Sequence, residues 1–321
     1  SRLEHYIRLH TEWKDNVIRY CESWFKDTLQ DRAVTRDLNW GVPVPLENFP
    51  HKVLYVWFDA VLGYISSTKE WAGRTSDPEK WKKYWMDDGT QYIAFIGKDN
   101  VVFHCIVFPA MLMAKGGYVL PDNVPANEFL NLEGGKFSKS RNNAIYVKDF
   151  LATFEPDLLR YAITANLPET RDSDFYWKDF QAKSNNELAD IYGNFVNRTI
   201  AFTEKNFAAL VPASGYLNHR DREILAVLKK TPATVGALFE KFKFREGTAE
   251  IMNLARAANK YFNDSEPWKT VKSDPGQCAT TVNICLQIVR SLAVLFAPIV
   301  PFSSEKICNK ISITTPLSEE L

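Results

Sequence analysis

The chain has 321 residues, enough for about two domains, and a hydrophobic fraction of 45% that excludes a disordered protein. Lysine and arginine together number 39, as do aspartate and glutamate, so the net charge is zero and no overall field favours a polyanionic partner. The five cysteines form no CxxC pair, and we expect reduced thiols in a cytoplasmic protein with no zinc site.

Two features bear on targeting and membranes. The first residues, SRLEHYIRLHTEWKD, are polar and lack an initiator methionine, so we expect no signal peptide here and a fragment of a longer protein. The longest apolar run, 281–302, carries Arg290 near its centre, where a charge is expensive in lipid. This run therefore predicts a buried core helix rather than a membrane span.

The first half of the chain alternates predicted helices with predicted strands. In chain order these are a helix over 3–30, a proline-rich connector over 35–50, strands over 52–60 and 91–97, a helix over 98–117, and a short strand over 124–132. Such alternation predicts a parallel α/β sheet. From about residue 145 helical spacing dominates, with no strand pattern over 181–310, so the second half predicts a helical bundle.

Three polar stretches each follow a predicted strand: FDA (58–60), GKD (97–99) and a lysine-containing loop. Ligands of parallel α/β sheets bind at the carboxyl ends of the strands. We therefore expect these stretches to converge on one crevice.

The lysine-containing loop lies in the stretch NLEGGKFSKSRNN (131–143). Lys136 and Lys139 bracket Ser138, and Gly134 and Gly135 give the preceding backbone freedom. Like charges this close repel each other. A solvated surface turn is one interpretation; the other is that a bound phosphate supplies the opposite charge.

The string KFSKS resembles the KMSKS signature of class I aminoacyl-tRNA synthetases, with Phe137 in place of methionine. Three further blocks, 55–67, 95–112 and 295–305, resemble the corresponding blocks of bacterial methionyl-tRNA synthetases in the same order. The resemblance spans essentially the whole chain. It implies an α/β plus all-α protein: the second half of a class I Rossmann-type nucleotide-binding fold, followed by a helical-bundle anticodon-binding domain.

The resemblance also implies a division into four segments. These are the tail of the connective-peptide insertion over 1–45, the second half of the Rossmann-type catalytic domain over 46–142 with the KMSKS-like loop at 136–140, a stem-contact linker over 143–180, and the anticodon-binding domain over 181–321. The HIGH-type motif and the zinc knuckle of the family are not found in the sequence. We therefore expect the C-terminal portion of such an enzyme, inactive in isolation.

Nucleotide chemistry is assigned by the resemblance to two groups of residues. Those implied for catalysis are Lys136, Ser138 and Lys139, and those implied for ATP binding are Gly97, Asp99, Leu130 and Lys139. From the residues alone, Gly97 allows a ligand close to the backbone, and Asp99 suits ribose hydroxyls. The alternative for Asp99 is that it caps the helix that follows it.

A methionine side chain is long, unbranched and apolar, so its pocket needs aromatic walls and a few polar groups. The resemblance implies six residues for it: Trp57, Ala60, Tyr64, Phe103, His104 and Phe108. His104 and Phe108 are four apart and share a helix face. Ordinary core aromatics and a core histidine are the alternatives. The chain has Val61 where the family often has proline, and Asn100 where isoleucine is common.

The resemblance implies that Asn194, Arg198 and Trp268 read the CAU anticodon. Asn194 and Arg198 lie at positions i and i+4 of a predicted helix, and their side chains suit base edges. Trp268 follows a proline on a predicted turn, where an exposed indole can stack on a base. The alternatives are a capped helix and a core tryptophan.

Together these features predict ATP-dependent ligation of methionine to its tRNA through methionyl-adenylate. The expected ligands are ATP with Mg²⁺, methionine and tRNA(Met), with no membrane partner and a monomeric fragment. Two alternatives remain open: another class I synthetase, for leucine, valine, isoleucine or cysteine, and a non-catalytic tRNA-binding module.

Overall fold

The structure, a computed structural model, describes residues 1–26 and 29–312. Within these residues the chain forms two compact units. The N-terminal unit comprises 1–129 with the short segment 169–171, and the C-terminal unit comprises 130–168 with 172–312. Residues 27–28 of the predicted first helix and 313–321 of the predicted anticodon-binding domain lie outside the described residues. The four-segment division stays a prediction.

The N-terminal unit contains short helices and short strands. The helices are α1 (Arg2–Leu9), α2 (Asp15–Lys26), α3 (Val56–Ala60), α4 (Gly63–Gly73), α5 (Trp81–Trp85) and α6 (Phe108–Lys115). The strands are β1 (Thr35–Arg36), β2 (Val53–Leu54), β3 (Tyr92–Ile93), β4 (Ile96–Gly97), β5 (Pro121–Asn123) and β6 (Ala126–Asn127). The helix predicted over 3–30 is thus divided into α1 and α2.

Parallel pairing is present in this unit, as the alternation of elements predicts. Strand β3 pairs with β5, and β4 pairs with β6, both in parallel. The segment after β4 is helical, as predicted, but irregular: a 3₁₀ turn over Lys98–Asn100, a π-helix over Val102–Val107, and then α6. Mid-helix π turns are frequent at functional sites.

The strand predicted over 52–60 is wrong. Only Val53–Leu54 forms a strand, and Val56–Ala60 forms helix α3. A continuous apolar run does not by itself distinguish a buried strand from a helix. Nor is the run buried on both faces, because Val56 is 64% exposed and Trp57 is 37% exposed. FDA consequently lies in α3 and does not follow a strand.

The C-terminal unit begins with a small sheet and continues as helices. Strand β7 (Leu130–Leu132) pairs antiparallel with β8 (Gly135–Lys136) and parallel with β9 (Ser173–Phe175). The helices are α7 (Val147–Leu151), α8 (Pro156–Ala165), α9 (Trp177–Ala182), a π-helix over Lys183–Gly193, α10 (Asn194–Phe207), α11 (His219–Glu240), α12 (Phe244–Ser265), α13 (Pro267–Ser273), α14 (Pro275–Phe296) and α15 (Pro301–Lys310). Residues 181–312 contain no strand, so the predicted helical bundle is confirmed.

Helix α14 forms the centre of this bundle. By length and composition it is the one helix of the described residues that is apolar enough to cross a membrane, and most of it is buried inside the unit. Ile288, Val289, Leu292 and Phe296 have no exposed surface. The run therefore forms the predicted core helix.

The contact between α11 and α12 gives a stability prediction. A Cβ at Gly247 would overlap the ring of Phe239, whereas a Cβ at Gly236 would meet nothing within 4 Å. Both alanine substitutions gain about 1 kcal/mol of helix propensity. Only Gly247→Ala adds an overpacking cost of about 1–3 kcal/mol. We expect Gly247→Ala to be less stable than Gly236→Ala by about that amount in urea unfolding; equal stabilities would contradict the described packing.

Candidate functional site

Aromatic rings from two helices meet at the surface of the N-terminal unit. The indole of Trp57 in α3 stacks on the ring of Phe103 in the π-helix, with 4.6 Å between centroids and 14° between planes. Phe103 is buried and Trp57 is part exposed, so the stack presents one accessible aromatic wall. Ala60 ends the same short helix and is exposed.

A buried histidine, His104, follows Phe103 in the same π-helix. The Nδ1 atom of His104 is 2.9 Å from the carbonyl oxygen of Asn100, and its Nε2 is 2.9 Å from the hydroxyl of Tyr64 in α4. Because a carbonyl oxygen only accepts, Nδ1 carries the proton, and a neutral ring then accepts from the Tyr64 hydroxyl at Nε2. Burial lowers the pKa of His104 below its ordinary value, partly opposed by the bond to Asn100. The ring is neutral at pH 7.

Phe108 differs from its neighbours. It has no exposed surface, and its ring contacts Trp85, Tyr92 and Tyr64 at centroid distances of 6.1, 6.3 and 6.3 Å. It is a core aromatic that supports Tyr64 from below. Two residues depart from the family pattern, Val61 and Asn100. Val61 is buried, and the backbone carbonyl of Asn100 accepts the hydrogen bond from His104.

Gly97 and Asp99 lie at the carboxyl end of β4. A Cβ at Gly97 would lie 2.8 Å from Oδ1 of Asp99, so the carboxylate folds over the bare backbone of this glycine. Asp99 is exposed, and Gly97 rather than Asp99 occupies the N-cap position of the 3₁₀ turn. The structure therefore gives Asp99 no capping role and leaves its carboxylate accessible.

The KFSKS loop is an ordered hairpin in the C-terminal unit. Ser138 and Asn143 exchange backbone N–H···O bonds of 2.9 and 3.0 Å, and the Asn142 N–H donates to the Lys139 carbonyl at 3.1 Å. The side-chain amide of Asn143 also donates to the carbonyl of Lys136 at 3.1 Å. Gly134, with φ of +77°, makes the preceding turn and donates to the carboxylate of Asp174 at 3.1 Å.

Three cations project from this hairpin. Lys136, Lys139 and Arg141 are exposed, and none makes an ion pair with another described residue. Ser138 is part buried, with its hydroxyl 3.2 Å from that of Ser140. An anion could therefore bind here without displacing an acidic side chain. Leu130 begins β7 in the same unit and packs beside the small core that includes Leu132.

The three predicted anticodon residues lie on α10 and α13. The guanidinium of Arg198 lies 4.5 Å from the centroid of Phe262, and its Nη2 donates to Oδ1 of Asn263 at 2.8 Å. The indole of Trp268 lies against the same Phe262 ring, at 6.2 Å. Trp268 is 44% exposed and is the second residue of α13, so it is neither a core tryptophan nor part of a turn. Asn194 is exposed at the start of α10.

Sequence reasoning missed four residues at these places. Phe262 and Asn263 hold Arg198, yet they lie on a helix about 65 residues away along the chain. Just before the proline-rich connector, the guanidinium of Arg32 lies 5.9 Å from the ring of Phe103. Within the connector, the guanidinium of Arg36 lies 3.8 Å from the ring of Tyr55. The available signal in the sequence was a pair of arginines four positions apart; of their two ring partners, Phe103 is a predicted pocket residue and Tyr55 is not.

No metal centre is formed by the part of the chain that the structure describes. Within 1–26 and 29–312, no three histidine, cysteine, aspartate or glutamate side chains gather in a way that could hold an ion. The five cysteines are buried, and none forms a disulfide.

Comparison with protein families covers almost the whole chain. The model of tRNA synthetases class I (M) matches residues 1–200, and that of the anticodon binding domain of methionyl tRNA ligase matches residues 211–318. The chain belongs to the class I methionyl-tRNA synthetase family. The predicted fold class, a class I synthetase domain followed by an anticodon-binding domain, is therefore confirmed.

Similar methionyl-tRNA synthetases are longer than this chain. The methionine–tRNA ligase of Phocaeicola vulgatus is 54% identical over 308 residues, which is 95% of this chain and 45% of the relative. That of Bacteroides fragilis is 55% identical over 306 residues, 95% of this chain and 44% of the relative. The chain thus spans less than half the length of these curated relatives and matches their C-terminal part.

Solved structures of the family share the fold. Mycobacterium tuberculosis methionyl-tRNA synthetase in complex with methionyl-adenylate has a TM-score of 0.85 at 28% identity, covering 96% of this chain and 60% of that one. Its crystal structure in the free state has a TM-score of 0.82 at 25% identity.

The neutral state of His104 gives a pH prediction. Its folded pKa is below the unfolded value of about 6.5, so the unfolded chain takes up the proton first on acidification. The stabilisation that wild type has over the non-titrating variant His104→Gln should be complete above about pH 6.5 and decline below it. Urea unfolding of both proteins between about pH 5.5 and 7.5 measures this difference; a constant difference would contradict the neutral assignment.

Proposed function

We propose that the full-length protein joins methionine to tRNA(Met) in two steps, using ATP. In the first, the methionine carboxylate attacks the α-phosphate of ATP, giving methionyl-adenylate and pyrophosphate. In the second, a hydroxyl at the 3′ end of the tRNA attacks the methionyl carbonyl, and AMP leaves. The observation that supports this most is the part-exposed aromatic wall of Trp57 and Phe103, together with the neutral His104–Tyr64 pair that begins at the next residue of the same π-helix.

This arrangement suits a methionine side chain in shape and charge. A thioether is apolar and polarizable and packs favourably against aromatic rings. A neutral imidazole bonded to a tyrosine adds polarity without placing a charge in the pocket. Short branched side chains would leave much of such a wall uncovered, which favours methionine over leucine, valine, isoleucine or cysteine.

The nucleotide would be held by Gly97 and Asp99, with the backbone of Leu130 as a further contact. Asp99 would accept hydrogen bonds from the ribose hydroxyls. Lys136 and Lys139 would stabilise the charge that develops on the departing pyrophosphate, with Ser138 as a hydrogen-bond donor. Catalysis of this in-line displacement is mostly positioning and charge stabilisation. Mg²⁺ would accompany ATP, bound by phosphate oxygens and water.

On the RNA side, Asn194, Arg198 and Trp268 would contact anticodon bases. Arg198 is held in place by Phe262 and Asn263 while retaining further N–H donors for a base edge. Trp268 has exposed ring surface for stacking. We further propose a cytoplasmic enzyme without a membrane partner, and that the present chain alone is monomeric and inactive.

Amino-acid-dependent ATP–pyrophosphate exchange tests the proposed reaction in the full-length protein. We expect exchange with methionine and none above background with leucine, valine, isoleucine or cysteine. Preference for one of those four would support the other class I reading. Absence of exchange with every amino acid, alongside tRNA binding, would support a non-catalytic RNA-binding module.

The lysine loop gives a mutational prediction. Lys139→Ala in the full-length protein should lower the rate of adenylate formation by about 10²–10³, the scale of losing one preorganised charge donor. The affinity for methionine should hardly change. Lys229→Ala removes an exposed lysine of α11 and serves as the control. If Lys139→Ala forms adenylate at the wild-type rate in single-turnover kinetics, the loop is a surface turn and the proposed role of Lys139 is wrong.

The anticodon residues give a second prediction. Trp268→Ala should weaken tRNA binding by roughly 1–3 kcal/mol, the range for loss of one stacked base, or about ten- to a hundredfold. Adenylate formation should be unchanged. Phe302→Ala, which removes an exposed aromatic ring of α15, is the matched control. If Trp268→Ala melts early but charges tRNA normally when cold, the tryptophan is structural and the anticodon assignment is wrong.

A further inference from the structure

The turn that leads into the KFSKS hairpin has an unusual backbone. Strands β7 and β8 pair Leu132 with Gly135, so Glu133 and Gly134 form the whole loop between them. Both loop residues have positive φ, +49° for Glu133 and +77° for Gly134, as in a type I′ turn. Glycine adopts this left-handed conformation readily and asparagine does so more often than most residues, but for glutamate it is unfavourable. A glutamate therefore occupies a position that asparagine would occupy with less strain.

Hydrogen bonds to β9 and to the start of α9 hold this turn. The N–H of Glu133 donates to the carbonyl of Phe175 at 3.1 Å, and that of Gly134 donates to Oδ1 of Asp174 at 3.1 Å. The side chain of Glu133 adds a third bond, because its Oε1 accepts from the backbone N–H of Trp177 at 2.8 Å. Trp177 is the first residue of α9, so the carboxylate also lies at the positive end of a helix.

The Trp177 end of this bond is fixed by packing. The indole stacks on the ring of Phe150, with 6.1 Å between centroids and 12° between planes, and it meets the ring of Phe175 edge-on at 5.3 Å. Helix α9 then continues without a break through the π-helix into α10, which ends at Phe207. The carboxylate of Glu133 is therefore bonded to a packed helix and not to another loop.

Beyond the turn, the chain passes directly to the two lysines of the hairpin. Lys136 ends β8, two residues after Gly134, and Lys139 lies three residues further, in the part closed by the bonds between Ser138 and Asn143. Strand β8 is only two residues long. The direction in which the turn leaves β7 therefore sets where the hairpin lies.

We propose that Glu133 is a positioning residue for the lysines of the KFSKS hairpin: its bond to the Trp177 N–H fixes the turn and so sets the direction in which Lys136 and Lys139 meet the phosphates of ATP. This inference rests on the proposed function. It also accounts for the left-handed strain at Glu133, because strained residues cluster at functional sites and the longer side chain supplies this bond.

The main test compares two substitutions in the full-length protein by single-turnover kinetics. Glu133→Asn gives the Asn-Gly pair that a type I′ turn prefers, but its side chain is one methylene too short for the bond to Trp177. Glu133→Gln keeps the length and an oxygen that accepts from this N–H.

We expect Glu133→Asn to lower the rate of adenylate formation about tenfold, the lower end of the range for one hydrogen bond to a charged group, since Glu133 is exposed. Glu133→Gln should stay within about threefold of wild type, the scale of one charge at a helix N-terminus. Neither should change the affinity for methionine. A wild-type rate in Glu133→Asn, or an equal loss in both variants, would overturn the proposal.

Urea unfolding separates positioning from a purely structural role. We expect Glu133→Asn to be at least as stable as wild type, because relief of the left-handed strain offsets the lost bond. Stability and rate should thus move independently, which a structural role does not predict. A Glu133→Asn variant that unfolds at lower urea concentration and loses rate would make Glu133 a structural residue and overturn the proposal.

A third comparison shows whether the effect passes through the lysines. In the double variant Lys136→Ala/Lys139→Ala, Glu133→Asn should have no further effect on the rate of adenylate formation. An equal tenfold loss in that background would overturn the proposal. Wild-type protein is the reference for the proposed function itself. If wild type forms no methionyl-adenylate, the proposed function fails; if it does and Glu133→Asn matches it, only the role of Glu133 fails.

Discussion

Burying the ring of His104 requires a partner for each of its nitrogens, and much of the candidate amino-acid site follows from how the fold supplies them. One partner is the carbonyl of Asn100, a turn earlier in an irregular helix, and the other is the hydroxyl of Tyr64 in α4. The pair fixes the tautomer, ties the π-helix to α4 and holds the Tyr64 hydroxyl on the ring that follows Phe103 in the chain. The site therefore contains a neutral polar group, and the free-energy cost of burying a charge is avoided.

The exposed cations of the KFSKS hairpin differ from those of the helices in their acidic partners. On the helices, exposed cations lie near carboxylates, as in the Arg8–Glu4 and Lys260–Asp264 pairs. On the KFSKS hairpin, backbone and Asn143 hydrogen bonds fix the chain that carries Lys136 and Lys139, and neither lysine has a described acidic partner. Such an arrangement is less stable alone than with an anion bound, which is the property that a site for a departing pyrophosphate needs.

Prediction from sequence succeeded where the determining patterns are local. Helical spacing predicts the bundle of the second half and the buried core helix α14, and both are present in the structure. It failed at 52–60, where an apolar run does not specify a strand or a helix. The Asn263 contact to Arg198 and the Asn16 contact to Glu128 join residues 65 and 112 positions apart, and nothing local in the sequence encodes them.

The most direct measurement is a crystal structure of the full-length protein with methionyl-adenylate bound. We expect the thioether to lie within about 4 Å of the Trp57 and His104 side chains. The ribose hydroxyls should lie within hydrogen-bond distance of the carboxylate of Asp99, about 3 Å. A methionine side chain bound away from the Trp57–Phe103 stack, with His104 and Tyr64 remote from the ligand, would contradict this account of the site.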